Sequence, residues 1–459
     1  MLHQVFAPDP AVSGVLRRQK LPEDCALRWS RFVVPFEHRE ERFLYHTLTK
    51  QCFRTEGALC AGVKAGEGLD LSPGRLGEEG KTLAENWFLV PGDKDETALY
   101  VGLLRLLRLR GAKKHYTSYT ILPTTACNAR CFYCVEQGMR QVAMSPETVE
   151  QTISFILRSR DPGEKLRLVW FGGEPLTASW VIDRVSAAMS EAGVDYDAVM
   201  VSNGILMDEM TVEKMRGPWR VRGVQITLDG TEEEYNRRKN YRKPYPSAYR
   251  ELLRVLKRLA DAGIQVLLRC NVDRENADGL EQMLEELAAA LPQKERFYPY
   301  FTPLFAHWNT GEEVDLVRRC LEAKVRARDL GFPYFSESAL HRLRSGACMA
   351  ENPYGSTLIG SEGQLYNCQL CTDEVQTGNI REGVTRPDYL KSFLLPEPVS
   401  ARCRDCAMLP LCTGFTRCPN RWGQCRQVRE LILLSDLRCE LDGLVPEDPE
   451  GDGMPEPIC

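Results

Sequence analysis

The sequence predicts an α/β protein: a parallel sheet flanked by helices, followed by a separate cysteine-rich module. Three observations predict it. From about 116 to 310, short apolar runs alternate with helix-length amphipathic stretches, the pattern of successive βα units. Eighteen cysteines occur in 459 residues, and they are bunched rather than spread. Three of them, Cys127, Cys131 and Cys134, directly follow the first strand of the βα series.

The composition sets bounds. The chain is 43% hydrophobic and 27% charged, which suits an ordinary globular core. Its length allows two or three domains. A net charge of −5 gives no global case for nucleic acid or membrane binding. Residues 1–20 carry Pro8, Asp9 and Pro10 and no apolar run, so no signal peptide is expected. Arg105 and Arg108 break the apolar run Leu103–Leu109, and no stretch reaches the about 18 apolar residues of a membrane span. A cytoplasmic location is expected. Disulfides are rare there, so clustered cysteines read as metal ligands. The isolated Cys25, Cys52, Cys60, Cys270, Cys320 and Cys459 read as small buried hydrophobes or surface thiols.

Residues 1–115 precede the cysteine motif. Glu41–Thr49 alternates like a strand, Trp87–Pro91 is a second short strand ending at Pro-Gly, and Thr97–Leu109 has leucines at helical spacing. Arg105, Arg108, Arg110, Lys113, Lys114 and His115 form a basic run, either a solvated helix face or a dock for an acidic peptide. The βα series has candidate strands at Tyr116–Leu122, Arg167–Phe171, Ala198–Val201, Val224–Leu228, Gln265–Asn271 and Arg296–Thr302. Helices are expected between them at Pro146–Arg158, Ser179–Ala192 and Ala248–Ala262. Residues 311–345 read as a helical bridge, 346–440 as the cysteine-rich module, and 441–459 as an acidic, Pro/Gly-rich tail.

The run Cys127-Asn128-Ala129-Arg130-Cys131-Phe132-Tyr133-Cys134 has C-x3-C-x2-C spacing. Three thiolates on one loop suit three irons of a [4Fe–4S] cube. Position 135 is Val and 138 is Gly, so no fourth cysteine follows and one iron is left open to a small molecule. The competing reading is zinc, which usually takes two C-x2-C pairs or cysteine with histidine, and no His lies near. With Pro123-Thr124-Thr125-Ala126 ahead of it, this run resembles the signature of radical S-adenosylmethionine (SAM) enzymes. The resemblance implies that the open iron chelates SAM. It implies reductive cleavage of SAM to a 5'-deoxyadenosyl radical that abstracts hydrogen from a substrate, Tyr133 lying against the adenine. It also implies a partial TIM-like (β/α)6 barrel with functional groups at the C-terminal strand ends. An electron donor such as flavodoxin or ferredoxin follows from the same chemistry.

Other strand ends extend the resemblance. Gly172-Gly173-Glu174-Pro175 follows the second strand. Glycines permit close backbone approach, and the family's motif implies that Glu174 takes the SAM amino group. Ser202-Asn203 ends the third strand and Thr227 the fourth, where the resemblance implies SAM contacts. Where relatives carry an Arg for the SAM carboxylate, this chain has Lys239, with Arg237 and Arg238 as alternatives; Lys supplies the charge without the bidentate fork. Arg269 and Asn271 share the other face of the fifth strand from Cys270. They read equally as cofactor contacts or as an internal hydrogen-bonded pair.

Cys348, Gly363 and Cys368 give C-x14-G-x4-C; Cys403, Cys406 and Cys412 give C-x2-C-x5-C; Cys418, Cys425 and Cys439 follow. This resembles the SPASM module of radical SAM enzymes, which implies two auxiliary [4Fe–4S] clusters. One takes Cys403, Cys406, Cys412 and Cys439, with Cys425 in reserve. The other takes Cys348, Cys368 and Cys418. A pair of zinc knuckles is the alternative. No cysteine stands just before Cys348, where relatives have one, so Cys371 or Cys425 fills the gap or an iron stays open to a substrate thiolate. Residues 1–115 resemble, loosely, the winged-helix-like leader-binding module of peptide maturases. The expected function is modification of a ribosomally made precursor peptide with a leader, cysteine-containing if the open iron holds, through thioether or other cross-links. The alternatives are formylglycine generation in a sulfatase and a non-catalytic iron–sulfur scaffold. No catalytic acid or base is identifiable.

Overall fold

The computed structural model describes residues 2–444 except 23, 58–59, 61–62, 64, 70–71, 305–310, 337, 344–348, 350–351, 353, 395–398, 400 and 413–424. The N-terminal part contains strands β1 (Leu2–Phe6), β2 (Leu27–Trp29), β3 (Val33–His38), β4 (Glu41–His46), β5 (Cys52–Thr55), β6 (Gly68–Leu69) and β7 (Leu89–Pro91). Its helices are α1 (Pro10–Ser13), α2 (Glu78–Glu85) and α3 (Glu96–Gly111). The strands form a sheet of order β1-β5-β4-β3 and a second of order β6-β2-β7. This is more strand than the winged-helix-like expectation allowed. One reason is the turn joining β3 to β4: Arg39 and Glu40 both take left-handed backbone, φ 49° and 64°. That is the geometry of a two-residue hairpin, built here without the Asn-Gly sequence that usually announces it.

These strands are not a detached domain. Tyr45 donates its hydroxyl to the Leu340 carbonyl at 2.8 Å, and Thr47 donates to the Ala407 carbonyl at 2.6 Å. Within the basic run, Arg108 is buried and Lys113 pairs with Glu164 at 2.5 Å, so neither is spare for a docking peptide.

The next strands are β8 (Ser118–Ile121), β9 (Leu166–Trp170), β10 (Tyr196–Ser202), β11 (Val221–Thr227), β12 (Gln265–Val272) and β13 (Phe297–Pro303). Each pairs in parallel with the one before it. The order never reverses, which is how a barrel wall is laid down, whereas doubly wound sheets reverse at a switch point. Between the strands run α4 (Pro146–Ser159), α5 (Ser179–Glu191), α6 (Glu209–Arg216), α7 (Glu232–Lys239), α8 (Ala248–Asp261) and α9 (Leu280–Ala290). Local chemistry starts them: Ser145, Asp208 and Ser247 accept backbone N–H groups at the N-termini of α4, α6 and α8, and Thr231 with Glu234 forms a capping box on α7. Trp170, Met200, Ile226 and Leu268 from the sheet pack with Ile153, Val185, Leu252 and Leu256 from the helices in one core. Strands buried on both faces read as near-continuous apolar runs, which is why these six were legible.

After α10 (Glu313–Asp329) the chain re-enters the same sheet. β14 (Ser356–Ile359) pairs in parallel with β8, and β15 (Gln364–Tyr366), β16 (Gln376–Asn379) and β17 (Gly383–Val384) continue antiparallel. The result is one ten-stranded sheet. Gly363 of the C-x14-G-x4-C motif sits in the β14–β15 turn at φ +88°, a conformation that favours glycine. α11 (Pro387–Leu394), α12 (Ala401–Arg404) and α13 (Cys425–Leu441) follow, and α13 lies against α10, joined by a buried Lys324–Asp436 pair at 3.0 Å. Among the described residues, no helix is long and apolar enough to cross a membrane.

Candidate active site

Cys127, Cys131 and Cys134 lie on the loop after β8, at the C-terminal edge of the sheet. The loop is held on several sides by backbone. Gly173 N–H donates to the Thr124 carbonyl at 3.0 Å and Glu174 N–H to the Ala126 carbonyl at 2.9 Å. A Cβ on Gly173 would stand 2.6 Å from the Thr125 oxygen and closer still to that of Ala126; one on Gly172, at φ +123°, would strike the Thr124 oxygen. The Gly-Gly pair is therefore needed for the approach of the cysteine loop itself. From the other side, the Arg130 N–H donates to the Lys239 carbonyl at 3.0 Å and the Arg242 N–H to the Asn128 carbonyl at 2.8 Å.

The strand-end residues assemble around this loop. Glu174 is fully buried; its carboxylate accepts from Ser202 Oγ and the Asn203 N–H, both at 2.9 Å, and from the Leu176 N–H at 3.2 Å. Burial pushes its pKa up to about 7 despite those three donors. Asn203 donates its side-chain amide to Asn128 Oδ1 at 2.7 Å and approaches Cys127 Sγ at 3.9 Å. Thr227 sits in register with Arg269, whose Nε donates to Asn271 Oδ1 at 3.1 Å. Asn271 donates its backbone N–H and side-chain amide to Asp229 Oδ1, at 2.9 and 3.2 Å. Sequence reasoning gave Asp229 no role, yet it is fully buried and joins three predicted site residues, Tyr133, Lys239 and Asn271. Its signal was an acid immediately before a glycine at a barrel strand's C-terminal end.

Lys239 belongs to the same knot. Its Nζ lies 3.2 Å from Asp229 Oδ2 and donates to the Tyr133 hydroxyl at 2.9 Å, and Tyr133 in turn donates to Asp229. Burial alone would depress the Lys239 pKa, but the adjacent Asp229 carboxylate more than reverses this and holds the amine charged. Arg238 is buried too, paired with Asp273 at 2.9 Å and set over the Phe132 ring at 5.1 Å, while the exposed Arg237 pairs with Glu275 at 3.1 Å. All three basic candidates for the SAM carboxylate thus already have acidic partners.

In the C-terminal module, Cys403, Cys406, Cys412 and Cys425 lie within electrostatic range of one another. Cys439 is not brought to them. It sits fourteen residues beyond Cys425 on α13, about 21 Å along a helix, near Arg328 Nη1 at 3.9 Å. The structure therefore gathers the reserve residue, Cys425, in the place sequence reasoning preferred for Cys439. Cys368 and Cys371 stand together at the end of β15. Cys348 and Cys418 lie outside the described residues, as does the acidic tail from 445 onward.

The donor chemistry fits iron–sulfur groups. Thiols occur as a set of three on one loop and a set of four between α12 and the start of α13, and the Ala129 N–H, 3.4 Å from Cys127 Sγ, is directed at sulfur. Among the described residues, no three His, Cys, Asp or Glu side chains converge on a single-ion point. Cys127, Cys131 and Cys134 would hold the cluster that binds SAM. When bound, a [4Fe–4S] cluster and SAM supply a 5'-deoxyadenosyl radical.

Comparison with known proteins agrees. Residues 121–287 match the radical SAM superfamily. A GTP 3',8-cyclase from Chlorobaculum tepidum is 28% identical over 114 residues, 25% of this chain and 33% of that protein's length. The chain thus spans about a third of the curated relative it matches. Among solved structures, native anSMEcpe with bound AdoMet and Cp18Cys peptide superposes with a TM-score of 0.53 at 15% identity, over 71% of this chain and 98% of that one. Streptococcus suis SuiB bound to precursor peptide SuiA gives 0.49 at 12% identity, over 87% and 99%. Residues 121–287, which carry both the cysteine loop and the Gly-Gly-Glu turn clasping it, thus form a radical SAM domain, a domain whose members bind a [4Fe–4S] cluster and SAM.

Proposed function

We propose that this enzyme is a peptide maturase of the SPASM type, which cross-links or otherwise modifies side chains of a ribosomally made precursor peptide. The observation that carries the reading is the four-thiol set Cys403, Cys406, Cys412 and Cys425, in a module that is wired into the radical SAM sheet through β14 and β8. Auxiliary clusters held there would belong to a part of the chain that shares a sheet with the SAM site. The likeness to anSMEcpe, solved with a peptide and AdoMet together, supports a fold with room for both. The N-terminal sheet ends in edge strands β1 and β3, and such edges accept an added strand from an extended leader segment. The partners are then a leader-bearing precursor and a low-potential donor such as flavodoxin or ferredoxin.

The test is anaerobic turnover of the reduced, iron-loaded chain with SAM and a precursor encoded beside its gene. Expected are 5'-deoxyadenosine and a peptide lighter by two hydrogens per cross-link, with faster turnover of the isolated core segment when leader peptide is added in trans. 5'-Deoxyadenosine without peptide change refutes the maturase reading. An aldehyde trapped by hydrazide, in place of a cross-link, establishes side-chain oxidation instead.

A further inference from the structure

The turn after β15 is built around two thiols. Asn367 N–H donates to the Val375 carbonyl at 3.4 Å and closes the segment, and Cys371 N–H donates to the Cys368 carbonyl at 3.3 Å. Cys371 takes left-handed backbone, φ +50°, a conformation disfavoured for a residue with a Cβ. It leaves Cys371 Sγ 4.0 Å from the Cys368 carbonyl oxygen, with both thiols half-buried. A C-x2-C turn of this kind presents two sulfurs to one metal group.

A second observation is independent of the thiols. Asn367, beside Cys368, is only 2% exposed, and neither its side-chain nitrogen nor its oxygen has a hydrogen-bond partner; Gln369 Oε1, between the cysteines, is also buried without one. A buried polar group with no partner is costly when nothing meets it. Of these atoms Asn367 Nδ2 is a donor, and a group with sulfur acceptors of its own would supply the partner it lacks.

The surroundings place this turn near the chemistry. Cys371 and Phe171, the latter just after β9, both pack against a small apolar cluster of Leu122, Leu358 and Tyr366. It also lies within electrostatic range of Glu136, two residues past Cys134 on the catalytic cysteine loop. A group held here would lie near the SAM-site loop.

We propose that Cys371 is an auxiliary-cluster ligand alongside Cys368, taking the position for which the sequence offers no cysteine ahead of Cys348. The proposal rests on the auxiliary-cluster reading above and sharpens it: a position otherwise left to a substrate thiolate is taken by the chain's own Cys371.

The experiment uses the full chain, loaded anaerobically with iron and sulfide. Iodoacetamide is applied before and after cluster removal, and Cys368 and Cys371 are followed by peptide mass spectrometry. Both are expected to react only after removal; a Cys371 that alkylates equally fast in both states overturns the proposal. Cys371→Ala and Cys371→Ser are then compared with the native chain by Mössbauer and EPR spectroscopy. Expected is loss of about four irons, or of one iron from one cluster, with the SAM-induced change in the catalytic cluster's EPR signal retained as proof of folding. Native auxiliary spectra in both variants overturn the assignment. If the unsubstituted chain carries only about four irons in total, the auxiliary-cluster reading itself has failed, a result that differs from failure of Cys371 alone.

Discussion

Gly173→Ala isolates what the Gly-Gly turn does. The added methyl would stand 2.6 Å from the Thr125 carbonyl oxygen and 2.6 Å from the Ala126 carbonyl carbon. Ordinary contact begins near 3.4 Å, and the Ala126 oxygen stands closer still, so the two backbones must separate by about 1 Å. Neither side is a flexible side chain, and the movement strains the hydrogen bonds Gly173 N–Thr124 O (3.0 Å) and Glu174 N–Ala126 O (2.9 Å). Overpacking of this kind costs about 1–3 kcal/mol, and the displaced segment ends at Cys127. The assay pairs denaturant unfolding of the apo-chain with iron content and SAM affinity after reconstitution. Expected are a lower unfolding midpoint and a weakened SAM response. Gly102→Ala is the control: Gly102 lies inside α3 with nothing within 4 Å of an added Cβ, and it should gain about 0.5–1 kcal/mol. A Gly173→Ala chain with unchanged midpoint, iron content and SAM affinity would refute the claim that this turn is a clasp for the cysteine loop.

Three further outcomes are expected. Lys239→Met leaves Asp229 buried without its cation, which should cost about 3–5 kcal/mol; adding Asp229→Asn should recover part of the loss, as a double-mutant cycle of unfolding energies will read. Cys425→Ala should remove about four irons per chain while Cys439→Ala leaves iron content unchanged, measured on reconstituted protein; equal losses would return Cys439 to the ligand set. His46 is buried, and burial lowers its pKa from 6.5 to about 4. Because the folded value lies below the unfolded one, the unfolded chain takes up the proton first. The His46 contribution is therefore complete above about pH 6.5 and is lost as pH falls toward 4, to a limit of roughly 3 kcal/mol. Unfolding midpoints across that range should show a steeper fall for the native chain than for His46→Gln.

The six barrel strands and the helices between them were legible because burial on both faces writes itself as apolar runs, and because Ser145, Thr231 and Ser247 mark helix starts. The cysteine loop was marked by its spacing, and the strand-end residues were singled out by their resemblance to family motifs. What sequence did not reveal was partnership. Nothing local in Lys239 says that its charge is committed to Asp229, since the two are joined by the way α7 folds back after β11. The same holds for Cys425 and Cys439: the resemblance preferred Cys439 with Cys425 in reserve, and only the helix that carries both sets them apart. The N-terminal hairpins were missed because Arg39-Glu40 turns the chain without a turn sequence.

The pairing of β8 with β14 bears on how the chain is made. Residues 118 and 356 meet edge to edge, yet the ribosome, at about 5–20 residues per second, delivers the second roughly 12–48 s after the first. Throughout that interval the outer edge of β8 is a bare, apolar template of the kind that recruits strands from other chains. Chaperone supply and slowed synthesis should therefore govern the soluble yield of this protein more than its final stability does, and shortening the chain ahead of residue 356 should produce aggregates rather than an isolated radical SAM core.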